Sequence, residues 1–342
     1  MSTSTESVAG HVAARHTAAD RSNPEDLRLA LRAATLYYLD GLTQAEIANR
    51  LGVSRPTAGR LIARAKAKGL VHIEVVVPPD MRDSLHADEE RELEHRFGLT
   101  EAVVAGSGID VGAPGRPAAY ASVGRAAAAL LMRRLSPTDV MGFTWGPETV
   151  AVATSLSPGV ASCRAVVQLD GAMSTAAYQT GTEFILGRCA DVLRADTIRL
   201  PAPLYADAST VASMRSDSVI SRTLDAGRHA DVMIFGIGAA SKAGTLFEGS
   251  YLDTRMLDDL VSRGAVGEIG GRFFDAAGHP VKSELAQRSV SVPLEDIKAC
   301  QKTILIASGM AKHHATLGAL RGKLARLLVC DIDCARWLLA QR

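Results

Sequence analysis

Between Leu42 and Leu70 the apolar residues recur at helical spacing, stop at a glycine and then resume. Ile47, Ala48 and Leu51 fall on one face of a first short helix, and Leu61 and Ile62 on one face of a second. Thr43, with Glu46 three residues on, has the form of a capping box. Gly52 follows the first helix at once, where a left-handed residue ends a helix at least cost. Val53 fills the turn, and small Ala48 lies where the helices cross. Ser54 is placed to cap the second helix, with Pro56 in its first turn, where a missing N–H costs little. These coincidences predict a helix-turn-helix, one helix bracing and the next entering a DNA major groove. Leu27–Leu39 predicts a third helix, with Leu29, Leu31, Ala34, Leu36 and Tyr37 available to cover the pair. The β-branched run Leu70–Val77 predicts a strand, which makes this a winged variant.

Beyond Pro78-Pro79 the pattern changes. Asp80–Phe97 is charged, with Met81, Leu85, Leu93 and Phe97 apolar, and predicts a linking helix stopped by Gly98. From Thr100 short apolar runs alternate with longer amphipathic ones. Strands are expected at 101–105, 139–144, 163–169, 198–200, 231–235, 290–292, 303–307 and 327–329. Helices are expected at 118–135, 148–156, 179–193, 216–226, 254–263, 312–320 and 331–339. Strands buried on both faces and separated by helices predict an α/β domain with a mostly parallel sheet. The expected organisation is a disordered tail over 1–24, an all-α winged helix-turn-helix over 25–78, a linker helix over 79–98 and an effector domain over 99–342.

The net charge of the 342 residues is only +1, but its distribution matters more. From Gly41 to Leu70 the bases are Arg50, Arg55, Arg60, Arg64, Lys66 and Lys68, against the single acid Glu46. Such local charge attracts phosphate. Arg55, Thr57, Arg60 and Arg64 are left for the outward face of the second helix, while Thr43, Gln44 and Ser54 can position helix ends on DNA. A hydrophobic content of 47% with 22% charged residues is that of a soluble protein. No apolar run reaches the roughly 18 residues of a membrane span, and the N-terminus lacks the apolar core of a secretory signal. A cytoplasmic location is expected, with no membrane partner. The 5 cysteines are scattered, without a C-x-x-C, and read as small buried hydrophobes rather than metal ligands.

Ligands of parallel sheets bind beyond the carboxyl ends of the strands. Four such exits carry glycine and polar residues: Thr144–Thr149, Asp170–Ser174, Gly236–Gly238 and Ser308–Lys312. Their convergence predicts one small-ligand pocket. Gly236-x-Gly238 lacks the third glycine of a dinucleotide fingerprint, so no cofactor is expected.

Five segments carry a family resemblance, in order along the chain: Tyr37–Thr57, GFTWG (Gly142–Gly146), ADVMIFGIG (Ala230–Gly238), Arg263–Val281, and ASGMAK (Ala307–Lys312) followed by ALRG. The chain resembles the SorC family of sugar-binding, DeoR-type bacterial transcriptional regulators from about Leu27 to Leu339. The resemblance implies an effector domain similar to glucosamine-phosphate deaminase, ribose-phosphate isomerase and CoA-transferases. It further implies a pocket for a sugar, polyol or sugar phosphate. Gly146, Thr149, Gln179, Glu268, Asp275 and Lys312 are carried over as ligand-binding positions, and Asp170 and Gly171 join them from the strand exits. Two departures stand out: Pro147-Glu148 where the family often has hydroxyl residues, and Ala58-Gly59 where it often has Val and Ser. Glu148, Glu268 and Asp275 set three carboxylates against Lys312, which favours a neutral polyol or sugar, unless an arginine such as Arg199 or Arg272 folds into the site. The expected protein is a ligand-responsive regulator, not an enzyme, acting as a homo-oligomer on operator DNA. The alternative is an active sugar-phosphate isomerase or deaminase using Glu268, Asp275 and Lys312, with His313 and His314 beside them.

Overall fold

The computed structural model describes residues 24–73, 85–106, 120–172, 174–175, 178–179, 181–242, 244–248 and 252–341. The chain divides into two compact units, Met1–Val76 and Val77–Arg342. Residues 1–23 of the expected tail, 74–77 of the expected wing and 79–84 of the expected linker lie outside the described residues; Pro24 already belongs to a helix, and Leu70–Ile73 forms no strand.

In the first unit α1 (Pro24–Tyr38), α2 (Gln44–Leu51) and α3 (Arg55–Ala67) surround one small core. Ala30, Ala33, Ala34 and Leu36 of α1 meet Ile47 and Ala48 of α2 and Ala58, Leu61, Ile62 and Ala65 of α3. Alanine at the contacts lets the helix axes approach closely. Leu31 and Tyr37, expected to cover the pair, instead point outward, at 48% and 39% exposure. Ala34 and Leu36 are buried as expected, Leu29 packs against them, and Ala30 and Ala33 complete the inward stripe of α1.

The second unit begins with α4 (Ala87–Phe97), followed by β1 (Glu101–Ala105), α5 (Ala121–Arg134), β2 (Val140–Phe143), α6 (Pro147–Ser155) and β3 (Ala165–Gln168). Next come the hairpin β4 (Ser174–Thr175) and β5 (Tyr178–Gln179), then α7 (Thr182–Leu193), β6 (Asp196–Ile198), α8 (Ala208–Ser216) and α9 (Ser218–Arg228). The chain continues through β7 (Val232–Gly236), β8 (Gly238–Ala239), α10 (Thr245–Glu248), α11 (Thr254–Ser262), β9 (Ala265–Ile269) and β10 (Arg272–Asp275). It ends with α12 (Glu284–Gln287), α13 (Leu294–Ala299), β11 (Thr303–Ala307), α14 (His313–Arg321), β12 (Leu327–Asp331) and α15 (Ile332–Ala340).

Seven strands form one sheet in the order β1-β12-β11-β7-β2-β3-β6. All neighbours run parallel. Alternate residues of each strand enter different cores, as the two-residue pleat requires. Met141, Phe143, Ile304 and Ile306 pack with α5, α6 and α7 on one face. Val140, Leu305, Ala307 and Leu328 pack with α4, α14 and α15 on the other. A three-stranded antiparallel sheet, β10-β9-β8, stands beside this layer. Residues 290–292 form no strand of their own; Ser289 and Ser291 make isolated bridges to Tyr205 and Asp170. All five cysteines are buried and free.

Helix α4 is more than a link. β1 is an edge strand, and its free N–H groups would attract another strand. Glu94 Oε1 accepts the Ala102 N–H at 3.0 Å and Glu90 Oε1 the Val104 N–H at 2.9 Å. Leu93 is fully buried beneath them. Leu93→Ala should therefore lower the stability of the α/β unit by about 2–5 kcal/mol in a urea melt. An unchanged midpoint would show α4 to be a solvated connector.

Candidate functional site

The helix-turn-helix is assembled by its caps. Thr43 and Glu46 form the full capping box, with the Thr43 N–H donating to Glu46 Oε2 at 2.8 Å. Gly52 takes the left-handed conformation at φ 64° that turns the chain toward α3. Ser54 Oγ accepts the Thr57 N–H at 3.3 Å, and Arg60 donates to Thr57 Oγ1 at 3.2 Å. Arg55 and Arg60 are exposed on α3, and Thr57 is half-buried. The Gln44 side chain lies against Gly59, where even a Cβ would press on its Oε1 at 3.2 Å. Gly59 thus leaves room for Gln44 at the start of α2. Arg64 departs from the expected outward set, since it pairs with Asp26 of α1 at 3.5 Å.

The second constellation follows from sheet topology. The chain leaves β2 toward β3 on one side, and leaves β7 toward β11 on the other. Where neighbouring parallel strands send their loops in opposite directions, a crevice opens between the loops. Trp145, Gly146 and Glu148 line it from the β2 exit, and Gly236, Ile237 and Gly238 from the β7 exit. Asp170, Glu268, Gly270 and Lys312 complete it. The free volume is about 30 Å³, room for little beyond a water molecule.

Glu148 stands in the first turn of α6 at 2% exposure and is ion-paired with Lys312. The Lys312 ammonium also lies 5.4 Å from the centre of the Tyr120 ring, within cation–π range. Burial pulls its pKa down to about 8. The Trp145 indole donates to the Gly171 carbonyl at 3.0 Å, and the Trp145 N–H to Asp170 Oδ1 at 3.3 Å. Asp170 Oδ2 is buried with no hydrogen-bond partner among the described residues. Burial, and then the nearby Glu268, drive the Asp170 carboxyl well above its ordinary range. Glu268 Oε2 accepts the Gly271 N–H at 2.8 Å, and burial pushes its carboxyl from 4.5 to about 7.

The hairpin β9–β10 delivers Glu268. Its two-residue turn is Gly270-Gly271, with φ 53° and 75°, the left-handed pair that tight hairpins need. A Cβ on Gly238, opposite Glu268 in the ladder, would strike the Glu268 carboxylate.

Gly146, Asp170, Glu268 and Lys312 thus meet as expected, and Gly171 adjoins them through its carbonyl. Thr149 does not face the crevice. It is buried, and its hydroxyl donates to the Gly146 carbonyl at 3.0 Å. Gln179 sits on β5 rather than opening a helix, and its side chain lies outside the described residues. Asp275 is absent from the crevice. It pairs with Ala265 at the far end of the hairpin from the Gly-Gly turn, and there caps a turn through the Ala277 and His279 N–H groups, both at 2.9 Å. Arg199 pairs with Glu183, and Arg272 turns to the 286–291 segment. Neither arginine lines the crevice. His313 and His314 pack on Trp337, each with ring centres 4.9 Å away. Tyr120 beside Lys312 and the aimed Trp145 indole have no local signal in the sequence, since each contact joins residues far apart in the chain.

The raised Glu268 pKa implies a pH-dependent stability. With the folded-state pKa above the unfolded one, the native state holds the extra proton and loses stability as pH rises from 4.5 toward about 7. Urea melts of the protein should show a loss on the order of 2 kcal/mol between about pH 5 and about pH 8. Glu268→Gln should reduce that slope, leaving the part that the raised Asp170 carboxyl contributes. Parallel profiles would mean that Glu268 ionises freely.

Comparison with known proteins matches this architecture. The family of the sugar-binding domain covers residues 83–340, and a MarR family helix-turn-helix covers residues 33–82. The deoxyribonucleoside regulator of Bacillus subtilis is 32% identical over 92% of this chain and 98% of its own. The transcriptional regulator LsrR of Escherichia coli K12 is 29% identical over 90% of this chain and 93% of its own. The crystal structure of the full-length sorbitol operon regulator SorC of Klebsiella pneumoniae superposes with a TM-score of 0.67 at 28% identity, covering 92% of this chain and 99% of that one. Helix-turn-helix, seven-stranded sheet and relatives agree: the chain belongs to the SorC family of DNA-binding transcriptional regulators, in which a helix-turn-helix precedes a sugar-binding domain.

Proposed function

We propose that α3 reads operator DNA through Arg55, Thr57 and Arg60, with Thr43, Gln44 and Ser54 setting the helix ends against the phosphates. Exposed guanidiniums on a capped helix suit both base edges and backbone. Arg64, tied to Asp26, contributes to the field rather than to a base contact. One such module buries too little DNA for useful specificity, so the protein works as a homo-oligomer on paired half-sites. Arg60→Ala should weaken operator binding by about 1–3 kcal/mol if Arg60 reads a base, measured by fluorescence anisotropy at fixed salt. Unchanged affinity in Arg55→Ala and Arg60→Ala alike would remove α3 from the interface.

The crevice at the β2–β7 switch is read as the effector site, and the effector as a neutral polyol or sugar. The carrying observation is the ion pair: the Lys312 charge is already cancelled by Glu148, and the other ionisable groups there are the carboxyls Asp170 and Glu268. Carboxyls exchange hydrogen bonds with hydroxyls, and phosphate finds no cation in the described lining that is not already paired. A hexose-sized ligand exceeds the free volume, so its hydroxyls must displace the Glu148–Lys312 contact. That gives the two conformations unequal affinity for ligand, which a ligand-driven switch requires. Isomerase or deaminase chemistry is favoured by no observation: of its candidate groups, Asp275 lies outside the crevice and Lys312 is bound to Glu148. Calorimetry on matched pairs, each polyol beside its phosphate, should give the neutral ligand at least about tenfold tighter binding. Tighter phosphate binding that is lost in Lys312→Ala would overturn the charge argument.

A further inference from the structure

A second cavity lies apart from the crevice. It is open, about 500 Å³ in volume, and bounded by α8, α9, Arg272 and residues 286–293. In the β9–β10 ladder Arg272 pairs with Ile269 and Glu268 with Phe273. Opposed residues share a face and successive ones alternate, so Arg272 and Glu268 leave the hairpin on opposite sides. The lining contains Arg215, Arg228 and Arg272 and no carboxylate.

Arg272 is held by neutral oxygens. Its Nε donates to Ser291 Oγ at 2.9 Å, its Nη1 to the Ala286 carbonyl at 3.2 Å, and its Nη2 to the carbonyls of Ser289 and Ser291 at 3.3 and 2.8 Å. These bonds aim the guanidinium without cancelling its charge. Arg215 adds one bond to the Ser289 carbonyl, at 3.4 Å. Neither Arg272 nor Arg215 has an ion pair among the described residues. Arg228 meets Asp225 at 3.2 Å and Asp296 at 3.4 Å on the rim. Burial and then the like charge of Arg215 pull the Arg272 pKa down to about 10, with Arg228 adding to the effect and Tyr205 and Glu295 opposing it. The fold therefore holds neighbouring cations together at a cavity, at an electrostatic cost an anion would relieve. Guanidiniums suit phosphate by fork geometry. Val211, Leu224 and Pro293 supply apolar wall for a carbon skeleton, and the size is that of a small-molecule site.

We propose that this cavity is a second ligand site, for a phosphate-bearing small molecule, distinct from the crevice around Lys312. Calorimetry of the full chain with inorganic phosphate, pyrophosphate and a sugar phosphate tests it. Pyrophosphate binding should weaken at least about tenfold in Arg215→Ala and further in Arg215→Ala/Arg228→Ala. The melting temperature of ligand-free Arg215→Ala should be unchanged, because Arg215 is exposed and makes one long bond. Lys312→Ala should bind pyrophosphate like the parent. Inorganic phosphate binding as tightly as the ester would assign the site to the free ion; a tighter ester would assign it to a phosphorylated metabolite. The proposal falls if no phosphate compound binds the parent protein, if both arginine variants keep full affinity, or if Lys312→Ala alone abolishes binding. The last result would place phosphate in the crevice and overturn the neutral-effector reading instead.

Discussion

A seven-stranded sheet with every strand parallel is the constraint from which the rest of the second unit follows. Parallel neighbours cannot be joined by a tight turn, so each connection crosses a face, and both faces end up covered. The strands then need apolar residues in both alternating sets, as the buried runs of β2, β11 and β12 show. Once the faces are sealed, the ends of the strands are where backbone N–H groups and polar side chains can meet a ligand. Reversal of winding between β2 and β7 parts the loops there and nowhere else along that pair. Glu148, Lys312, Asp170 and Glu268 come from four distant segments and meet at that opening.

Polar groups at such a place must be reconciled with burial. Glu148 and Lys312 do so by pairing, a solution in which desolvation offsets much of the attraction. Asp170 and Glu268 take another route, in which burial shifts both carboxyls toward the protonated form. A protonated carboxyl both donates and accepts, as does a ligand hydroxyl. Opposite polarity appears on the other side of the same hairpin, where Arg272 is fixed by carbonyls and left charged. The β9–β10 hairpin thus presents a carboxyl toward one opening and a guanidinium toward another.

The helix-turn-helix was legible because its requirements are local. Thr43-Glu46, Gly52, Ser54 and Pro56 each act within a few residues, and capping geometry follows directly from the order of the residues. The alternation of strands and helices was legible for the same reason, since strands buried on both faces read as short apolar runs. The β9–β10 hairpin has a local signal too, Gly270-Gly271 between alternating residues. Helix α8 was missed because Ala208–Ser216 has almost no amphipathic stripe.

Other features had no local expression. Asp275 and Glu268 stand on one hairpin with similar chemistry, yet the antiparallel pairing sends one to the crevice and the other to a distant turn. Leu31 and Tyr37 have the residue type of inward positions, yet α1 packs through Ala30, Ala33, Ala34 and Leu36 and leaves both exposed. The charge of Lys312 was countable from composition, but its cancellation by Glu148, 164 residues earlier, was not. The sequence by itself determined the capped helices, the α/β class and the family, because propensity, capping and period act over short distances. The tertiary structure decided which charges meet, which protons are held and which arginines stay unpaired, because those depend on the order in which distant strands enter the sheet.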